Sequence, residues 1–130
     1  MIGSKGTDWR QLREFTAVDL NQSFILSWHF EFELLVIDID LLLTEEHPLY
    51  ENLRPAEKFC IRPAIIEFSF CKKISVDGST SGSIDELAEG LGHGAIEGLQ
   101  RLNDGRCEII GSFGTVVITS ERPLLRLKGP

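Results

Sequence analysis

Hydrophobic and polar residues alternate through much of this chain with a period of two. From Ser23 to Phe30, the side chains of Phe24, Leu26, Trp28 and Phe30 fall on one face and those of Ser23, Ser27 and His29 on the other. This predicts a half-buried strand. From Phe32 to Leu43 a second strand places Leu35, Ile37, Ile39, Leu41 and Leu43 on one face. Its other face starts with Leu34 and Val36 and continues with Asp38 and Asp40. Unpaired carboxylates are costly to bury, so that face is expected to emerge into water, leaving the strand covered on both sides at one end only.

The stretch from Phe59 to Val76 reads as one long or bent strand. Cys60, Ala64, Ile66, Phe68 and Phe70 lie on one side, and Ile61 and Ile65 on the other. Pro63 has no N–H and belongs at an edge, a bulge or a strand start. Asp104-Gly105 between apolar runs predicts a hairpin. Gly111-Ser112-Phe113-Gly114 predicts a bulge or bend in a strand resuming at Thr115, and Pro123 opens a short last strand.

Helical signals are few. Trp9, Leu12 and Phe15 recur at helical spacing behind a Thr7 or Asp8 cap, which predicts a short N-terminal helix. Ser83 and Glu86 form a capping-box pattern before Ile84–Glu89, ended by Gly90, Gly92 and Gly94. The segments 44–50 and 77–83 read as polar connections, with Arg54-Pro55 extending the first. No helix is long enough for a parallel crossover. The expected fold is therefore mainly β: an antiparallel β-sandwich or open barrel with a short N-terminal helix and little other helix, as one domain over residues 1–130.

Composition narrows the function classes. Hydrophobic residues at 42% and charged residues at 25% describe an ordinary folded domain rather than a disordered chain. A net charge of -7 argues against generic binding to nucleic acid or to an anionic membrane, where a basic face supplies the affinity. The apolar stretch from Phe24 to Leu43 has the length of a membrane span, but Glu31, Glu33, Asp38 and Asp40 interrupt it. The first residues lack a basic segment followed by an apolar run, so no secretory signal is expected. Cys60, Cys71 and Cys107 are odd in number and widely spaced, which suits reduced thiols in a cytoplasm.

Candidate chemistry is sparse. The three histidines and three cysteines form no short recurring metal-ligand spacing, and no metal or other cofactor is expected. Gly90-Leu91-Gly92-His93-Gly94 lacks the preceding strand and following helix of a dinucleotide loop. No nucleophile elbow is present, and no serine or cysteine has a readable base partner, although Ser27 and His29 share a strand face. Acidic residues gather from Glu31 to Glu57, with Arg54 the only lysine or arginine besides them in that span. A solvated face accounts for this plainly. The sharper reading is a docking surface for a basic protein partner, carried by Asp38, Asp40, Glu45 and Glu46.

Ser23-Phe24-Ile25-Leu26-Ser27-Trp28, His47-Pro48-Leu49-Tyr50, Cys60-x-Arg62 leading to Ile65-Ile66-x-Phe68, and Gly111-Ser112-Phe113-Gly114 succeed one another in this order. The arrangement resembles a family of small uncharacterised bacterial proteins. The resemblance implies a stand-alone bacterial cytoplasmic domain and carries over no site residues; Ile84 to Gly92 departs from it as an insertion. Taken together, the chain reads as a non-catalytic interaction module that binds another protein. The alternative is a small-molecule binder or enzyme using the interior of an open barrel lined by Trp28, His29 and Arg62.

Overall fold

The structure, a computed structural model, describes residues 6–51 and 59–128. Arg54, Pro55 and Glu57, named above for the polar connection and the acidic stretch, lie outside the described residues. The described chain is mainly β, with strands β1 (Gly6–Asp8), β2 (Val18–Glu31), β3 (Leu34–Leu43), β4 (Cys60–Phe68), β5 (Lys73–Val76), β6 (Gly94–Leu102), β7 (Cys107–Gly111), β8 (Gly114–Thr119) and β9 (Leu124–Leu127). They form one open antiparallel sheet in the order β5-β8-β7-β6-β2-β3-β4-β9, with β1 paired to the far end of β6. One helix, α1 (Ile84–Gly90), packs against β2 and β5. No helix among the described residues is long and apolar enough to cross a membrane.

The β2–β3–β4–β9 half shows how side-chain parity builds the core. Direct cross-strand neighbours share a face, so the row Ile25, Ile39, Ala64 and Leu127 points inward. So does the row Trp28, Ile37, Ile66 and Leu125. The core face expected for β3 is the one observed: Leu35, Ile37, Ile39, Leu41 and Leu43 are all buried. On its other face Leu34, Val36, Asp38 and Asp40 are half-buried and Leu42 is buried, so the fully covered end is the C-terminal one.

β2 departs from the expected pattern. Ile25 and Ser27 pair with the consecutive residues Ile39 and Asp38, so Leu26 is an extra, bulged residue. A bulge inverts the side-chain parity of one flank of a strand relative to the other. Trp28 therefore points inward as expected, whereas Phe24 and Leu26 stand exposed and Ser23 and Ile25 are buried. Ser23 is satisfied there: its hydroxyl donates to the Asp19 carbonyl at 2.8 Å and accepts from the Leu42 N–H at 3.0 Å.

The N-terminal segment is not an α-helix but two 3-10 turns, Trp9–Gln11 and Arg13–Phe15, the first capped by the Asp8 carboxylate. Trp9, Leu12 and Phe15 are buried at intervals of three, the repeat of a 3-10 turn, and the spacing was too short a run to separate the two geometries. Phe59 to Val76 is not one strand. It breaks at Ser69–Lys72, where Phe70 has φ 52°, and β5 joins β8 at the opposite edge of the sheet. Gly111–Gly114 is a two-residue hairpin turn rather than a bulge, since Gly111 faces Gly114. Gly114 has φ 113°, and a β-carbon there would meet the Asp77 carboxylate at 2.8 Å. The Asp104-Gly105 hairpin and the Ser83–Glu86 capping box are present as expected.

Candidate functional site

The expected partner-binding acids occupy two places. Asp38 and Asp40 lie on the outward face of the sheet, in the rows Ser27–Asp38–Ile65–Arg126 and Phe24–Asp40–Pro63. Glu45 and Glu46 come after β3 in an exposed turn, where the Glu46 carboxylate accepts from the Thr44 hydroxyl at 2.8 Å. Bases from outside the acidic segment neutralise part of it: Lys72 pairs with Glu33 at 3.1 Å and Arg62 approaches Glu51 at 3.5 Å. Lys128 pairs with Asp38. The side chains of Asp40 and Glu45 have no hydrogen-bonding or ionic partner among the described residues.

Around Asp38 the sheet gathers a serine, a histidine and an aspartate. Ser27 Oγ lies 3.1 Å from His29 Nε2 and 3.2 Å from Asp38 Oδ2, and His29 Nε2 lies 3.2 Å from the same Asp38 oxygen. Partial burial pushes the Asp38 carboxyl up, but hydrogen bonds from Lys128 and Ser27 outweigh it and hold the group below its ordinary value. The geometry does not make a nucleophile. A catalytic triad uses both ring nitrogens, one toward the serine and one toward the carboxylate. Here one nitrogen faces both groups, the Ser27 hydroxyl donates to Asp38, and the His29 side chain is 63% exposed on an open face. The cluster is an ion-paired patch of sheet surface.

Trp28, His29 and Arg62 are not brought to one cavity. Trp28 and His29 line a groove of about 420 Å³ between the β2–β3 turn and α1. Arg62 belongs to a separate depression beside Tyr50 and Glu51. Trp28 is held firmly: its indole N–H donates to the Gly92 carbonyl at 3.0 Å, and its ring meets Phe113 edge-on at 5.3 Å. The glycine-rich stretch after α1 thus serves to bring backbone against β2, with Gly94 pairing to Ile25 and the His93 ring against Phe24.

Among the described residues, no three histidine, cysteine or acidic side chains come together as a metal-binding group. Cys60, Cys71 and Cys107 are free and buried. Burial pushes the Cys71 thiol up and the Cys107 thiol to about 12, so both are protonated and poor nucleophiles at neutral pH. Sequence reasoning missed α1 as a groove wall, because its Asp85 and Glu89 carry no motif and only the fold sets them opposite the β2–β3 turn. Compared with family models, with curated proteins and with solved structures, the chain matches none.

Proposed function

We propose that this chain is a non-catalytic interaction module, a small acidic cytoplasmic protein that binds another protein through the outward face of β2, β3, β4 and β9. The observation that supports this reading is the face itself. Phe24 and Leu26 stand 38% and 45% exposed, with Pro63 and Leu124 also exposed on neighbouring strands. Asp40 sits between Phe24 and Pro63. Exposed apolar side chains interleaved with charge are the make-up of a protein-docking surface. Glu45 and Glu46 at the strand end extend a negative field that steers a basic partner.

The rival reading needs an interior cavity. We take the sheet, in which β6 is shared by both halves, as an open barrel whose interior is occupied by side chains such as Leu35, Ile37, Ile66 and Phe68. That filling favours the module.

The test compares wild type with two double variants, Phe24→Ser with Leu26→Ser and Glu45→Lys with Glu46→Lys. Affinity capture from the native cytoplasm is run at low and high salt. We expect a captured protein that both variants lose while circular dichroism stays unchanged. Its association with wild type should slow with added salt, which screens over about 8 Å at physiological ionic strength. Identical sets of captured proteins from all three forms would remove this reading.

A further inference from the structure

We infer that the groove between the β2–β3 turn and α1 seats an arginine side chain of the bound protein, an inference that rests on the interaction-module reading and gives it a second, specific contact. The groove has aromatic walls and an acidic rim. Phe30, Phe32 and the buried Trp28 line it together with His29, and Glu31, Asp85 and Glu89 supply carboxylates. No lysine or arginine lines it.

The rim acids are unpaired. Several other acids of the described surface are paired, Glu14 with Arg122, Glu67 with Arg126, Asp104 with Arg106, and Glu33, next in the turn, with Lys72, whereas Asp40, Glu45, Glu97 and Glu121 are not. The side chains of Glu31, Asp85 and Glu89 have no hydrogen-bonding or ionic partner among the described residues. Asp85 and Glu89 are four residues apart on α1, where like charges repel slightly and a bound cation relieves the repulsion. Complementarity therefore points to a cation.

The walls point to arginine. A planar guanidinium stacks on an aromatic ring and still offers N–H groups in its plane to carboxylates, which a lysine ammonium cannot do in the same way. Phe32 is the ring best placed to receive it. It is 91% exposed, and its backbone has φ 52° in a turn whose next residue, Glu33, has φ 63°. Asparagine and glycine suit that backbone, so neither turn geometry nor core packing accounts for an aromatic side chain there.

The chain's two tryptophans give the experiment its own control. Trp28 lines the groove, with its indole N–H bonded to the Gly92 carbonyl, and the Trp9 indole N–H donates to Asn21. The probe is a blocked peptide of arginines spaced by glycines, titrated to millimolar concentration and monitored by the two indole N–H resonances. Its citrulline counterpart has the same shape without the charge. We expect the arginine peptide to move the Trp28 resonance saturably and to leave Trp9 in place, with no response to citrulline. Asp85→Asn combined with Glu89→Gln should weaken binding about fivefold or more, and Phe32→Asn about two- to fivefold. The exposed pair Glu97→Gln and Glu121→Gln, outside the groove, should weaken it less than about twofold.

No saturable Trp28 shift, an equal response to citrulline, or equal loss in the two charge-neutralised pairs overturns the inference; the last outcome would mean a diffuse negative field only. Failure here is separable from failure of the module itself. If the peptide leaves Trp28 unmoved while the Phe24→Ser, Leu26→Ser variant still loses its captured protein, the groove inference falls and the outward face stands.

Discussion

Ile39 and Asp40 are adjacent in β3 and differ in everything that parity controls. Ile39 is 1% exposed in the row with Ile25 and Ala64, whereas Asp40 faces outward beside Phe24 and Pro63 without an ionic partner among the described residues. Placing a carboxylate at position 39 would bury a charge with no compensating hydrogen bond. Ile39→Asp should therefore destabilise the fold by about 4 kcal/mol or abolish it, while Asp40→Asn should stay within about 0.5 kcal/mol of wild type. Urea denaturation monitored by tryptophan fluorescence reads both. Similar effects from the two substitutions would mean that the strand register is wrong.

Among the elements, the β2–β3 hairpin carries the clearest tension between stability and use. Its two turn residues both have positive φ, and neither is glycine or asparagine. Side chains with a β-carbon are strained there by about 1 kcal/mol each. Phe32→Asn should raise the thermal midpoint by relieving that strain and removing an exposed ring, with a gain of about 1 kcal/mol. The same change weakens arginine-peptide binding if Phe32 belongs to the site. A gain in stability with unchanged binding would leave the ring without a role. The opposite case is Gly114, where the positive φ and the nearby Asp77 carboxylate already suit glycine, and the Thr115 N–H donates to Asp77 at 2.9 Å.

Across the whole molecule, one ion pair ties distant parts of the chain. Glu14, in the second 3-10 turn, accepts from Arg122 Nε and Nη2 in a two-pronged contact, the Nη2 arm at 2.8 Å, linking the N-terminal segment to the β8–β9 connection. The guanidinium holds the Glu14 carboxyl below its ordinary range, against the opposing effect of burial. A carboxyl with a depressed folded pKa stabilises the fold above its unfolded pKa, and that contribution is lost as pH falls through the folded pKa. Asp38 acts in the same direction through Lys128 and Ser27. The urea midpoint should therefore fall as pH drops through and below the ordinary carboxylate range. Arg122→Gln should lower the neutral-pH midpoint and flatten that acid limb. An unchanged acid limb in the variant would show that the pair contributes nothing to the pH dependence.

The alternation of side chains along β3, the Asp104-Gly105 turn and the Ser83–Glu86 cap were legible in the sequence because each depends on residues within a few positions of one another. The same local chemistry determined that the chain would be mainly β and that Asp38 and Asp40 would avoid the core. Tertiary structure decided what local patterns cannot express. The bulge at Leu26 inverted the faces of β2, because pairing with β3 sets the register, not the spacing of apolar residues within β2 alone. The break at Phe70 sent β5 to the far edge of the sheet, a choice between partners distant in sequence. The candidate sites obeyed the same division. Their acids could be listed from the sequence, but which were neutralised depended on bases such as Lys72 and Lys128 arriving from other strands and segments. Ion pairing acts over a few ångströms of space, whatever the separation along the chain.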